Sequence, residues 1–484
     1  MNKGPHPRGE RTAESVERRP VAKGNPGEPT AGDTQRSKAA SSALERIRES
    51  ARRSARQKFT NLFSHIDLTL LRRSYHELRH DAAPGEDAMT WEEYGKKLEE
   101  RLTDVHDRLH TGRYRAQPSK RQWIAKAGGG ERPIGIASVE DKIVQKAMVL
   151  ILQQIYEEDF QGCSYGFRPE RSPHHALDAL FVAITHGKVN WVLDADIRSF
   201  FDTLDHRWVL EFLGHRVADP RMLRLVRKFL RAGVSEDGQW SKTEVGTPQG
   251  AVLSPLLANI YLHYVLDVWM RRWRRREARG EVYLVRYADD FVMGFQHRAD
   301  ADRFIEALRA RLANFSLELH AGKTRLIEFG RFAASNRARR GEGKPETFDF
   351  LGFTYYCARR RSDGGFALGR KSIAKRVRKK YQDIGRMPKR NRHKPIAAQG
   401  RWLGSVVRGH IGFYGVPGNT RALNAFRTEI IRMWLRALRR RSQRGRRLRW
   451  EEFRTVVKRW LPSVRVVHPY PDRRLRVRPE AGAV

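Results

Sequence analysis

The chain is short of cysteine, short of acids relative to bases, and without a long apolar run, and each shortage closes off a class of protein. Cys163 and Cys357 are its only cysteines. Two thiols cannot build a disulfide framework or a four-thiolate zinc site, and both read as buried, reduced groups. No apolar run approaches the roughly 20 residues of a membrane-spanning helix, and no N-terminal apolar stretch has the secretory pattern. These absences point to a cytoplasmic protein with no membrane partner. Acids are outnumbered, 55 Asp and Glu against 95 Lys and Arg, which gives a formal net charge of +40 over 484 residues. Self-repulsion of that size opposes folding, and a polyanion that neutralises it releases counterions. Nucleic acid is therefore the leading partner class. Large apolar groups are also missing from residues 1 to about 40. That stretch cannot bury enough surface to offset its ordering entropy and reads as a disordered basic arm.

The rest of the chain has material for a core, with 40% hydrophobic residues. From Ala43 to Leu62 the pattern is helical and basic, and Pro84-Gly85 marks a loop. Trp91 to Leu109 reads as one helix, with Trp91, Tyr94, Leu98, Leu102, Val105 and Leu109 at helical spacing. Gln122 to Ile136 reads as two strands around Gly128-Gly129-Gly130. Ser138 is placed to cap the next helix, with Asp141 as a capping-box partner. The apolar residues of that helix recur every four positions, as a core stripe does. Trp191-Val192-Leu193 reads as a buried strand, and Val282–Tyr287 with Phe291–Phe295 as a hairpin with acids at its tip. Phe304–Leu312 reads as a helix and Phe348–Tyr356 as a strand. Alternating strands and helices argue for an α/β or α+β sheet domain. After about residue 365 the chain becomes Arg- and Lys-rich and helical in pattern. Leu423, Phe426, Ile430, Trp434 and Leu438 share one helical face, and Arg432, Arg436, Arg439 and Arg440 the other. Arg441, Arg444, Arg446, Arg447 and Arg449 continue the charge, while Arg427 interrupts the apolar face.

Two groups of acids carry chemistry. Asp194-Ala195-Asp196-Ile197-Arg198-Ser199-Phe200-Phe201-Asp202 follows the apolar strand directly, and Tyr287-Ala288-Asp289-Asp290 sits at the hairpin tip. Nucleotidyl transfer uses two divalent ions roughly 3.5–4 Å apart, one at the attacking hydroxyl and one at the leaving pyrophosphate. Magnesium takes oxygen ligands and keeps waters and substrate phosphates, so two or three carboxylates on rigid strand ends suffice. His174-His175 and Glu318-Leu319-His320 match no common metal spacing and read as structural.

Tyr287-Ala288-Asp289-Asp290 resembles the YADD box of reverse transcriptases, particularly those encoded by group II introns. Asp194 to Asp202 resembles their first catalytic motif, which places the metal aspartate at Asp196. Gly246-Thr247-Pro248-Gln249-Gly250-Ala251-Val252-Leu253-Ser254-Pro255 is similar to the family's template- and nucleotide-contacting motif, with Ala251 where a second glycine is usual. Lys126 and Arg132 are similar to the residues that hold the incoming triphosphate. Phe201 stands where the family has an aromatic that blocks a ribose 2′-hydroxyl, and Lys323 where it has a lysine able to protonate pyrophosphate. Tyr165-Gly166-Phe167-Arg168-Pro169 and Phe350-Leu351-Gly352-Phe353 resemble two further family motifs, the latter the primer-grip strand. Arg408-Gly409-His410 and Phe413-Tyr414-Gly415 resemble the region that grips intron RNA.

The resemblance implies an α+β right-hand polymerase of fingers, palm and thumb with a basic helical maturase extension. It divides the chain into a basic arm (1–42), an N-terminal helical extension (43–115), fingers and palm (116–360), thumb and maturase domain (361–455) and a basic tail (456–484). No HNH endonuclease domain is inferred. Asp196, Asp289 and Asp290 would hold two Mg²⁺ ions, and Lys126, Arg132, Phe201, Gln249 and Lys323 would bind the nucleotide. Arg432, Arg436, Arg439 and Arg440 would bind RNA. The implied partners are a group II intron RNA, an RNA template with a DNA primer, and dNTPs. The implied activity is copying intron RNA into DNA and assisting splicing and mobility. The alternatives are a splicing-only RNA-binding maturase and a related reverse transcriptase recruited to defence or CRISPR spacer acquisition.

Overall fold

The computed structural model describes residues 31–125, 130–236, 238–390, 394–441 and 443–474. Residues 1–30 and Lys126 lie outside these, as do the side chain of Arg444 and the tail from 475 onward. The chain forms mixed helix and sheet. Its strands are β1 (Ser119–Ala125), β2 (Glu131–Ile136), β3 (Trp191–Ala195), β4 (Val234–Glu236), β5 (Gln239–Ser241), β6 (Val282–Tyr287), β7 (Asp290–Phe295), β8 (Arg325–Glu328), β9 (Phe348–Phe350), β10 (Phe353–Arg359) and β11 (Phe366–Ser372). Two compact units share them. The first takes Met1–Pro169, Ile197–Arg272 and Glu306–His320; the second takes Glu170–Asp196, Trp273–Ile305 and Ala321–Val484.

The first unit is built on the helix Val139–Asp159. Its four-residue apolar step folds as read: Ile143, Ala147, Met148, Ile151, Ile155 and Tyr156 are essentially without solvent contact. Ser138 caps it by accepting from the Asp141 amide at 3.1 Å. Asp141 does not return the bond as a capping box would. Its carboxylate instead accepts from the Tyr114 hydroxyl and from the Gln117 amide, at 2.9 Å, and so draws the chain before β1 onto the helix. A four-stranded sheet in the order β2-β1-β4-β5 completes the unit.

Two helical readings change here. The first described helix runs Ala31–Arg53, beginning inside the stretch read as unfolded and ending before Leu62. Its first turns mix good helix formers, Gln35, Arg36, Lys38, Ala39 and Ala40, with the poor formers Gly32, Asp33 and Thr34, and Leu44, Ile47 and Ala51 then bury. The single helix from Trp91 is two, Trp91–Gly95 and Leu98–His110. The first ends where Tyr75 comes so close that a Cβ on Gly95 would strike its hydroxyl.

The second unit has a sheet in the order β6-β7-β3-β8, antiparallel throughout. Its central strands read as continuous apolar runs because both faces are covered: Val192, Leu193, Val292, Met293 and Phe295 are buried. A second sheet, β11-β10-β9, corrects the single strand read over Phe348–Tyr356. The chain reverses at Leu351-Gly352, where φ is +45° and +88° and Phe350 pairs with Phe353. The strand β11 is a departure within the region after 365, read as mostly helical, and β10 and β11 stay paired on both sides of position 360. Beyond it, the helices Ala374–Arg390, Ile396–Tyr414, Thr420–Arg439 and Trp450–Trp460 enclose one apolar core around Trp434, Phe426, Ile430, Leu403, Val407 and Phe453. Among the described residues no helix is long and apolar enough to cross a membrane.

Candidate active site

The acids come together through strand register. Antiparallel pairing sets Ala195 of β3 opposite Phe291 of β7. One further step brings Asp196 level with Asp290. Across the hairpin, Tyr287 pairs with Asp290, which leaves Ala288 and Asp289 as a two-residue tip. Ala288 there has φ +58° and is buried. A side chain in that region of conformational space costs roughly 1–2 kcal/mol, so other contacts must hold the turn. One is Arg286, fully buried beneath it, whose guanidinium donates to the Ala288 carbonyl at 2.9 Å.

On its other edge β3 meets β8. Asp194 is in register with Arg325 at the last rung of that pairing, and just beyond the strand ends Lys323 reaches Asp196 through its side chain. Both carry ion pairs: Arg325 to Asp194 at 3.3 Å, and Lys323 Nζ to Asp196 Oδ2 at 2.5 Å. Burial pushes the Asp194 carboxyl above its ordinary range, against the opposing pull of Arg325. Asp196, Asp289 and Asp290 offer only oxygen donors, on strand ends and a fixed turn, which suits Mg²⁺. Among the described residues no three His, Cys, Asp or Glu side chains form a ready metal cage. Mg²⁺ takes the rest of its shell from water and substrate phosphate, so the oxygen donors of these three aspartates fit it.

In the first unit three candidate nucleotide contacts are tied together by backbone bonds. The Thr247 amide donates to the Phe201 carbonyl and the Gly246 amide to the Leu204 carbonyl, each at 2.8 Å. Gly246 has φ +87°, and a Cβ there would lie 2.8 Å from the Asp202 carbonyl oxygen, so only glycine allows this approach. The Gly135 amide of β2 donates to the Gln249 carbonyl at 2.8 Å, which docks the loop on the strand that carries Arg132. Phe201 and Arg132 are half-buried, whereas Phe200 is core. Lys323 belongs to the second unit, and Lys126 lies outside the described residues. A residue the sequence did not single out, Gln145, holds the same loop by accepting from the Val252 and Leu253 amides at 2.9 and 3.2 Å. Arg286, Arg325 and Gln145 have no motif of their own; only their offsets from the acids and the loop could have flagged them.

The basic face of Thr420–Arg439 forms as read, with Leu423, Phe426, Ile430, Trp434 and Leu438 buried behind it. Its arginines are partly engaged. Arg436 pairs with Glu429 at 2.7 Å and Arg432 with the same carboxylate at 3.7 Å, while both remain about two-thirds exposed at 62% and 68%. Arg439 donates to the Leu448 carbonyl at 3.1 Å, and Arg440 is exposed. Arg427, anomalous in the sequence, donates to the Pro462 carbonyl at 2.8 Å and so closes off the chain after the helix Trp450–Trp460.

Residues 124–355 match the family described as Reverse transcriptase (RNA-dependent DNA polymerase). The protein YkfC of Escherichia coli (strain K12) is 34% identical over 298 residues, which cover 54% of this chain and 78% of that protein. The group II intron-encoded protein LtrA of Lactococcus lactis subsp. cremoris is 36% identical over 236 residues, covering 47% of this chain but only 39% of LtrA. The mitochondrial nuclear intron maturase 2 of Arabidopsis thaliana is 29% identical over 109 residues, 22% of this chain and 15% of the maturase. With the paired aspartates, the Gln249 loop and these relatives in agreement, the chain belongs to the reverse transcriptases, described as RNA-dependent DNA polymerases, and resembles in part proteins encoded by group II introns.

Proposed function

We propose that this protein copies a group II intron RNA into DNA from a DNA primer and binds that RNA to assist its splicing and mobility. The observation that carries the reading is the register that sets Asp196 level with Asp290, beside Asp289 at a turn fixed from below. In this reading Asp196, Asp289 and Asp290 hold two Mg²⁺ ions. Bound there, the ions supply the charge that activates the primer 3′-hydroxyl and stabilises the leaving pyrophosphate. The chain's own groups do the rest. Lys126 and Arg132 hold the triphosphate, Gln249 contacts the nucleotide, Phe201 crowds a ribose 2′-hydroxyl, and Lys323 stands where a proton can be given to pyrophosphate.

The architecture that serves this is a right hand, with fingers and palm over 116–360 and a thumb and maturase domain over 361–455. A basic arm (1–42) and a helical extension (43–115) precede them, and a basic tail (456–484) follows. Arg432, Arg436, Arg439 and Arg440 face RNA phosphates, and the protein works in the cytoplasm with its nucleic acid.

The test is dNTP incorporation on an RNA template with a DNA primer in magnesium. Asp196→Ala and Asp289→Ala should each lose at least about 100-fold, and Asp290→Ala somewhat less, since an electrostatic group lost at the reacting centre has an effect of that order. Near-normal incorporation by the Asp289→Ala protein would falsify the assignment.

A further inference from the structure

Two ion pairs close the end of the β3–β8 pairing: Asp194 with Arg325, opposed in register, and Asp196, just past β3, with Lys323, just before β8. Directly opposed charges of unlike sign stabilise an antiparallel pair. The two ion pairs differ in what else their cations hold. Arg325 also donates to the Thr347 carbonyl at 3.4 Å and lies 4.0 Å from Glu346, so it has partners besides Asp194. Lys323 is 62% exposed, and its ammonium rests on Oδ2, one of the two carboxylate oxygens that Asp196 could offer a metal ion. A lysine is a compact charge on a flexible stem, able to swing away without unfolding anything.

We infer that Lys323 is a placeholder cation: it neutralises Asp196 while the site is empty, weakens the binding of free metal, and yields when metal arrives with the nucleotide triphosphate. The inference rests on the assignment of Asp196 as a metal ligand, and goes beyond any contact Lys323 makes with the nucleotide. It follows from charge counting. Bare metal must displace the ammonium from Asp196 and then tolerate it nearby. A metal–triphosphate brings its own anionic oxygens, onto which the displaced ammonium can move. The lysine thus favours loading of the complete substrate over loading of the ion alone.

The test uses Mn²⁺ as the probe and the full chain, with binding followed by electron paramagnetic resonance in the absence and presence of a dNTP. Without nucleotide, Lys323→Gln should bind Mn²⁺ roughly tenfold more tightly than the parent, an order set by one unit charge a few ångströms from the ion. Lys323→Arg, which keeps the charge, should stay near the parent, and so should Arg325→Gln, whose cation faces Asp194 instead. With dNTP present the gap between Lys323→Gln and the parent should narrow. Asp196→Asn reports on the underlying assignment. If it binds Mn²⁺ as the parent does, Asp196 is no ligand and the site reading itself fails. If Asp196→Asn loses affinity while Lys323→Gln is unchanged, the site stands and the placeholder is overturned. Equal tightening by Lys323→Gln and Lys323→Arg would also overturn it, because charge would then not be the cause.

Discussion

Phe200 and Phe201 are chain neighbours in different surroundings. Phe200 is buried at 2% exposure and meets Phe201 edge-on at 5.4 Å, while Phe201 keeps part of its ring open beside the Gly246 turn. A ring needed only for packing would sit as Phe200 does. Phe201→Ala should therefore leave the fold largely intact and raise the ratio of rNTP to dNTP incorporation efficiency by roughly tenfold or more, as removal of a steric block in a tight pocket does. An unchanged ratio would reduce Phe201 to a packing residue. At this scale the hairpin that carries Asp289 and Asp290 was legible in the sequence, because two apolar runs flank a short polar tip. Arg286 was not, since a lone arginine in a strand carries no sign that it will lie fully buried under a turn. Neither was the ion pair of Lys323 with Asp196, which joins segments far apart in sequence.

Among the elements, the Leu351-Gly352 turn stands out because a leucine occupies φ +45°. Two-residue hairpins of this kind favour Asn-Gly, as asparagine tolerates that conformation and leucine does not. Leu351→Asn should raise stability by about 0.5–1 kcal/mol, seen as a higher denaturant midpoint. If primer extension falls at the same time, the leucine side chain is retained for contact with the primer. A lower midpoint instead would show that its packing outweighs the strain. The sequence reading ran straight through this turn as one strand. The turn's signal, a Leu-Gly pair between phenylalanines, is weak, and pairing decided the outcome. The helix Thr420–Arg439 was read correctly because its apolar period is strong, but its charge was overcounted. Glu429, between Arg432 and Arg436, neutralises part of the face. Replacing the four arginines with glutamine should weaken RNA affinity and flatten its salt dependence, each lost phosphate contact removing about 0.7–0.9 from the log–log slope. Glu429→Gln should do the reverse, tightening binding by about two- to fivefold, because exposed pairs of this sort are worth under about 1 kcal/mol. RNA titrations across salt concentrations check both. If Glu429→Gln has no effect while the arginine variant does, the carboxylate is not a competitor for phosphate.

For the whole molecule, a charge of +40 on 484 residues leaves the free protein repelling itself. Its unfolding midpoint should rise between about 0.1 and about 1 M salt, as the screening length falls from about 10 to about 3 Å. A saturating RNA should raise the midpoint more at low salt than at high. A free-protein midpoint that falls over this salt range would mean that local ion pairs outweigh the net repulsion. The interleaving of the two units has a different kind of consequence, one for synthesis. The chain enters and leaves each unit repeatedly, and β3, at 191–195, pairs with β7 at 290–295 and β8 at 325–328. On the ribosome, β3 therefore emerges long before either neighbour exists. Through that interval it is a bare apolar strand with two open edges, the kind of surface that invites misassembly or a chaperone. A nascent chain stopped before position 325 would carry all three aspartates yet lack the strand that flanks Asp194 and Asp196. The surroundings of these acids are thus complete only once position 328 has emerged, and a chain cut before it keeps Asp196, Asp289 and Asp290 without β8 beside β3.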